Sequence, residues 1–467
     1  MSEEKNVKKL AEELLVNRKN GFQQTPDETV AAADRFCEGY KDFMNAAKTE
    51  REVTSFAVEA AEKVGYAPFD SQKHYRAGDR VYYNNRGKAV ILATIGKKGC
   101  RDGVRISAAH IDSPRLDLKP HPLYEKDDIA LFKTHYYGGI KKYQWTTVPL
   151  SMHGRVVLKD GTDVDLRIGE EEGDPQFCVT DLLPHLATEQ MKKSSDKLIE
   201  GENLNILAGS RPVRSDEGEN LFKLNAKRLL HDKYGMTEED FVSADFEFVP
   251  ACKAVDVGFD RSMIGAYGHD DKVCAYPALM AALDVKDPEY TTVTVLTDRE
   301  EIGSLGNTGL DSSYLHDFVS DLASAEGLKA RHVLARSKCL SADVTAAYDP
   351  TYADAYEPSN ASYVNNGVGV CKYTGARGKS GTSEATAEFV SEIRRLFEKN
   401  GVLWQIGEMG KVDNGGGGTV AMFIANLNVD VLDIGVPVLS MHSPFEVVSK
   451  LDVYMTYKGI KAFYEAK

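Results

Sequence analysis

Two adjacent carboxylates, Glu300 and Glu301, stand in the run Thr297-Asp-Arg-Glu-Glu-Ile-Gly-Ser304, directly after the apolar stretch Thr292 to Leu296. A β-branched run that stops at paired acids places them at the mouth of a buried strand, where α/β proteins assemble their sites. One carboxylate of such a pair can bind metal while its neighbour handles protons. Four other fragments that read as strand ends each offer a ligand type that suits zinc. They are His110 in Ala-Ala-His-Ile-Asp-Ser-Pro, Asp270 in Gly-His-Asp-Asp-Lys-Val, Asp343 in Leu-Ser-Ala-Asp-Val and His442 in Leu-Ser-Met-His-Ser-Pro.

Each fragment has a plainer reading. A lone histidine after a strand of small residues is more often structural than a ligand. At His110, however, Asp112 supplies a carboxylate able to hold one imidazole nitrogen so that the other faces metal. Asp270-Asp271, ahead of Lys272-Val273-Cys274-Ala275, reads as a loop opening a helix, where acids serve as N-caps. Charge runs such as Asp298 to Glu301 usually face water, yet this one is led into by a strand and out by Ile302-Gly303-Ser304.

Taken in order, the histidine, the carboxylates and the second histidine resemble the two-zinc aminopeptidase and carboxypeptidase fold. The wording His-Ile-Asp-Ser-Pro-Arg-Leu, Asp-Arg-Glu-Glu-Ile-Gly-Ser, Ser-Ala-Asp and Met-His-Ser-Pro is similar to that of the aspartyl-aminopeptidase family, as is the segment Ile199 to Ser210. The resemblance implies an α/β fold with a mostly parallel, mixed sheet sandwiched by helices and an inserted β-rich dimerisation domain. It implies that Asp270 bridges two zinc ions per subunit, with Co²⁺ or Mn²⁺ as possible substitutes. His110 and Asp343 complete one site, Glu301 and His442 the other. Glu300 is then the general base, and Asp112 is the further catalytic residue. The implied activity is hydrolysis of the N-terminal residue from peptides with a free N-terminus. A related two-zinc deacylase or carboxypeptidase would use the same ions on another substrate, and a non-enzymatic metal-binding scaffold is the remaining class. Two features depart from the family: its second acid after His269 is commonly asparagine, and Tyr348-Asp349-Pro350 stands where many relatives carry His-Pro-Asn.

The glycine runs invite another reading. Gly375-Ala-Arg-Gly378-Lys379-Ser380 looks like a phosphate loop, but position 373 is tyrosine where that motif needs glycine. By resemblance, this segment and Asn414 to Thr419 line the substrate pocket. Gly416 and Gly417 let backbone approach the peptide, and Lys379 or Lys411 pairs with a carboxylate.

The elements that must position these residues follow from periodicity. Apolar spacing predicts helices over 28–46 and 50–64, then strands over 88–95 and 104–108, the second delivering His110. Between Leu118 and Phe246 the texture becomes polar and turn-rich, with alternating segments at 154–158 and 164–168 and no proposed ligand. The predicted organisation is therefore a catalytic domain of residues 1–118 and 246–467, interrupted by a subunit-contact domain of residues 119–245. Beyond it, strand and helix signals alternate: a strand at 293–296, a helix at 312–326, a short strand ending at 340, a helix at 382–400, a strand at 436–439 and a closing helix at 446–466. Such alternation predicts a mostly parallel sheet covered by helices.

With 467 residues, the chain is too long for one ordinary core. A net charge of −14 without a basic stripe argues against nucleic acid. Seven scattered cysteines without C-x-x-C spacing fit reduced thiols, and Cys274 and Cys339 read as small core residues. No run reaches the roughly 18 apolar residues of a membrane span. The expectation is a cytoplasmic homo-oligomer with no membrane or nucleic-acid partner, and a dodecamer built from dimers is implied by the resemblance.

Overall fold

The computed structural model describes residues 2–16 and 19–467, with side chains described for 7–16 and 19–467. Its centre is a nine-stranded sheet in the order Ala67–Pro68, Arg80–Asn85, Ala89–Thr94, Thr292–Thr297, Arg105–His110, Lys338–Ala342, Asp430–Gly435, Val368–Cys371, Trp404–Ile406. The strands from Thr292–Thr297 to Asp430–Gly435 in this order are mutually parallel. Antiparallel neighbours, Ala89–Thr94 and Val368–Cys371, close them on either side. The sheet is thus mixed with a parallel heart, as the near-continuous apolar runs predict for strands buried on both faces.

Side-chain alternation splits the core in two. Val90 and Leu92 face one layer, made by helices Asp27–Ala46, Glu50–Lys63, His269–Asp284, Ala387–Lys399 and Lys450–Tyr464. Ile91 and Ala93 face the other, made by Tyr314–Ala325, Ala330–Leu334 and Ala421–Ala425. Cys274 and Cys339 are fully buried in these layers, and all seven cysteines are free.

The inserted segment forms a six-stranded antiparallel sheet, ordered Asp163–Ile168, Leu150–Val157, Ala244–Pro250, Arg115–Lys126, Ile129–Tyr137, Ile206–Gly209. Its own core gathers Leu116, Phe132, Trp145, Ile206 and Phe248. The boundaries expected at 118/119 and 245/246 cut through two of its strands. Leu116 pairs with Phe248, so the sheet runs out to Arg115 and Pro250. Single-sequence texture marks where polarity changes, and here that point lies inside paired strands.

A third sheet is small and was not foreseen. It is ordered Val255–Val257, Met263–Ala266, Glu446–Ser449, Pro437–Leu439, Thr345–Ala346. It corrects the closing helix, expected over 446–466: Val447 and Val448 pair with Gly265 and Ile264, and the helix spans only Lys450–Tyr464. The helix expected over 382–400 likewise starts late, at Ala387, because the Thr386 side chain accepts the Phe389 N–H and caps it. No helix among the described residues is long and apolar enough to cross a membrane.

Candidate active site

The C-terminal ends of the parallel strands converge, as expected for an open α/β sheet. His110 is the last residue of Arg105–His110 and pairs across with Thr297, the last of Thr292–Thr297. Three residues beyond Thr297, a short 3₁₀ turn presents Glu300 and Glu301. Asp343 follows Lys338–Ala342 immediately. The other two residues come from the third sheet: Asp270 follows Met263–Ala266 and opens the helix His269–Asp284, and His442 sits on the turn joining Pro437–Leu439 to Glu446–Ser449. The sheet's parallel heart therefore supplies only part of the constellation.

Asp270 lies at its middle. Its Oδ1 is 3.1 Å from His110 Nε2 and its Oδ2 is 3.1 Å from His442 Nε2. Asp343 Oδ1 lies 4.0 Å from His110 Nε2, and Glu301 Oε1 lies 3.6 Å from His442 Nε2. Two groups result, His110–Asp270–Asp343 and Asp270–Glu301–His442, each with its donor atoms within 4.8 Å of one another. Asp271, the other acid of the pair, turns away and accepts the His110 backbone N–H at 3.3 Å.

The donor set suits zinc, which takes imidazole nitrogen and carboxylate oxygen. Glu301 Oε1 is buried with no hydrogen-bond donor among the described residues, an arrangement that favours a cation beside it. The electrostatics agree. Burial pushes the Glu300 carboxyl up to about 7; burial and the Asp270 charge push Glu301 well above the usual carboxylate range. Burial alone would depress His442, but its hydrogen bond to Asp270 together with the Glu301 and Asp270 charges outweighs this and lifts it to about 10. The surrounding acids thus favour a proton on each imidazole, and a cation bound there would compete with it.

Several groups hold the donors in place. His110 Nδ1 donates to the Asp112 backbone carbonyl at 3.0 Å, and the Asp112 carboxylate, expected to perform this task, is farther at 3.4 Å. That carboxylate instead accepts the backbone N–H groups of Glu300 and Glu301 at 3.1 and 3.2 Å. Asp112 thus holds the backbone of the two glutamates. Sequence reasoning missed Glu446. Its buried carboxylate accepts the His442 N–H at 2.6 Å and the Asp270 N–H at 3.0 Å, tying together two donor-bearing segments. Burial and the Asp270 charge raise this carboxyl to about 8, yet both oxygens accept N–H bonds, which favours the ionised form. The spacing His-Ser-Pro-Phe-Glu, an acid four residues past the histidine, was the available signal. Lys272, fully buried, donates to Ser113 Oγ at 2.7 Å, and Ser113 in turn donates to the Asp270 carbonyl at 2.6 Å.

A cavity of about 920 Å³ opens on His110, Asp270, Glu300, Asp343 and His442, and Gly416 and Gly417 form part of its wall. A recess of about 300 Å³ adjoins it through Asp343, Val344, Met409 and Gly416, and is lined by Lys379 and Lys411. The Lys379 ammonium is already engaged, 2.9 Å from Glu384 and 3.8 Å from the Tyr373 ring centroid. No ion pair holds Lys411 among the described residues.

Known proteins carry the same architecture. The sequence model of the family described as Aminopeptidase I zinc metalloprotease (M18) matches residues 43–464. A probable M18 family aminopeptidase 1 from Clostridium acetobutylicum is 48% identical over 463 residues, covering 97% of this chain and 99% of its own. The crystal structure of an M18-family aminopeptidase from Thermotoga maritima superposes with a TM-score of 0.92 at 42% identity, over 96% of this chain and 99% of that one. More distantly, S. cerevisiae mApe1, solved as a dodecamer, shares the fold at a TM-score of 0.74 and 20% identity, over 94% and 97% of the two chains. A family match over nine-tenths of the sequence, joined to near-half identity and a common fold, means that the chain belongs to the M18 family of zinc aminopeptidases, hydrolases of peptide bonds.

Proposed function

We propose that this aminopeptidase removes single residues from the free N-terminus of peptides with two zinc ions per chain and Glu300 as general base. The observation that carries the reading is Asp270, whose two oxygens each lie 3.1 Å from a different imidazole nitrogen. One carboxylate so shared is what a bridging ligand requires. His110 and Asp343 would complete one site, and Glu301 and His442 the other. Bound there, the ions would acidify a shared water and polarise the peptide carbonyl.

Glu300 belongs to neither donor group, and its Oε2 is 3.8 Å from His110 Nε2, at the cavity wall. From that place it takes the attacking water's proton and passes it to the departing amine nitrogen. Asp112 holds Glu300 in position through its backbone N–H. Gly416 and Gly417 admit the peptide backbone closely, and Lys411, the less committed of the two lysines, meets a substrate carboxylate. Cobalt or manganese are expected to substitute for zinc.

The chain is also assigned to a cytoplasmic homo-oligomer. Its seven free cysteines suit a reducing compartment. Leu182, Leu183, Leu186 and Met191 expose an apolar patch on the inserted sheet domain, which suits contact with another copy. The dodecamer of the yeast relative makes the same closed assembly a reasonable target for mass measurement.

The test is hydrolysis of free and N-acetylated peptides by wild type and Glu300→Gln, with zinc content measured on both. Release of the first residue from free peptides only, reduced about 10²–10⁴-fold in the variant with its zinc retained, is the expected result. Cleavage of acetylated peptides would favour a deacylase or carboxypeptidase instead, and equal rates in the two proteins would remove Glu300 from the mechanism.

A further inference from the structure

The inserted sheet reaches the site through three consecutive residues. Tyr137 ends the strand Ile129–Tyr137, and its hydroxyl donates to Asp112 Oδ2 at 2.8 Å, the oxygen that also accepts the Glu301 N–H. Its ring is held against the Arg115 guanidinium, 3.8 Å from the ring centroid. Gly138 follows with φ +74, and a Cβ there would lie 3.0 Å from Glu301 Oε2. Both the backbone conformation and this close approach favour glycine. The Gly139 carbonyl accepts from His442 Nδ1 at 2.7 Å, which turns Nε2 toward Asp270 and Glu301.

These contacts are one-sided. Glu301 and His442 belong to the same donor group, and among the described residues no hydrogen bond or ion pair joins residues 138 or 139 to His110 or Asp343. The carbonyl of Gly139 fixes which nitrogen of His442 is free, and the bare Cα of Gly138 leaves Glu301 its room. Tyr137 anchors both glycines by tying the end of their strand to Asp112.

We propose that Tyr137-Gly138-Gly139 is a positioning element through which the inserted sheet controls ion occupancy at Asp270–Glu301–His442, while the catalytic body alone builds His110–Asp270–Asp343. The inference rests on the two-ion reading above. The inserted sheet thereby acquires a part in the metal centre of its own chain, and the two ion sites answer to different parts of the fold.

The experiment is a Co²⁺ titration of the ion-free full chain, followed by visible absorption, for wild type, Gly138→Ala and Tyr137→Phe. Glu301→Gln serves as the reference that marks which step belongs to the second site. Wild type is expected to show two steps. In Gly138→Ala the step marked by Glu301→Gln weakens at least about tenfold, and the other stays within about threefold. Tyr137→Phe, which keeps the ring and its contact with Arg115, weakens the same step and guards against a Gly138→Ala chain that fails to fold. A general loss of structure would weaken both steps together. Parallel weakening of both steps, or no change in either, overturns the proposal. A wild type that takes up fewer than two ions overturns the two-ion reading first, and the wild-type trace alone reveals that case.

Discussion

Replacing Glu446 by glutamine leaves shape almost unchanged but removes one acceptor from a carboxylate whose two oxygens are both in use. Oε1 receives the His442 N–H at 2.6 Å and Oε2 the Asp270 N–H at 3.0 Å. The amide keeps one oxygen and turns an NH₂ toward the other N–H. A buried N–H left unpaired costs about 1–3 kcal/mol, and the surviving bond loses its charge assistance, about 1 kcal/mol more. The total is about 2–4 kcal/mol. His442 adds to the demand, since it holds φ +65, a left-handed conformation that histidine adopts only when its surroundings enforce it. The loss divides between two measurable quantities. If the turn 440–446 relaxes in the ion-free variant, folding is spared and ion binding must restore the geometry, which weakens affinity by about 30- to 1,000-fold. If the turn cannot relax, the same energy appears as lost stability. Chelator competition for Zn²⁺ together with urea unfolding of the ion-free protein therefore gives two differences whose sum is fixed by the cycle. A sum below about 0.5 kcal/mol would show that both N–H groups find other partners, and the clamp assigned to Glu446 would be wrong.

Gly435→Ala should damage the opposite site, because a Cβ at Gly435 would fall 1.6 Å from the Asp343 carbonyl oxygen; the Co²⁺ step that Gly138→Ala spares is the one expected to vanish. Lys411→Ala should raise KM several-fold for substrates carrying a carboxylate, and Lys379→Ala less, since Glu384 already pairs with it; steady-state kinetics decides. Stability should depend on pH through the buried cluster Lys48–Glu170–His153–Glu52, with Ser151 also donating to Glu170. Burial disfavours the charged His153, but bonds to Glu170 and Glu52 outweigh it and raise it above 6.5, so its contribution is complete below 6.5 and fades as pH climbs through the raised value. Burial opposes ionisation of Glu52 and Glu170 too, yet His153, joined at Glu170 by Lys48, pulls both below 4.5, and their contribution is present above 4.5 and lost as pH falls through the lowered values. The excess stability of wild type over His153→Gln in urea unfolding should thus peak between pH 4.5 and 6.5; an excess independent of pH would contradict the linkage.

The parts legible in the sequence were those whose signal is local. A strand buried on both faces reads as an unbroken apolar run, so Thr292–Thr297 and Arg105–His110 announced themselves, and the polar residues just past them stood out. Asp343 was found the same way. The third sheet escaped because its strands are two to four residues long and pair across wide sequence gaps, Thr345 with Pro437 and Met263 with Ser449. Phe445-Glu446-Val447-Val448 carries no period that separates a short strand from the first turn of the following helix, and Glu446 was lost with it. Tyr137 and Gly139 were beyond reach for another reason: their partners, Asp112 and His442, lie outside the sheet that carries Tyr137, and nothing in the run Tyr136-Tyr137-Gly138-Gly139 points to them. Likewise, the departure from the expected domain limits arises because Leu116 and Phe248 are paired strand residues, a fact that polarity along the chain does not encode.

The sharing of Asp270 has a consequence for the order in which the molecule is made. One donor group draws on residues 110, 270 and 343, whereas the other needs 442 as well as 301. Asp270, common to both, is held through its backbone N–H by the Glu446 carboxylate, so in a chain synthesised from its N-terminus both groups wait on a residue near the end. Neither donor group is complete until Glu446–Ser449 has emerged and paired with Met263–Ala266, the strand that leads into Asp270.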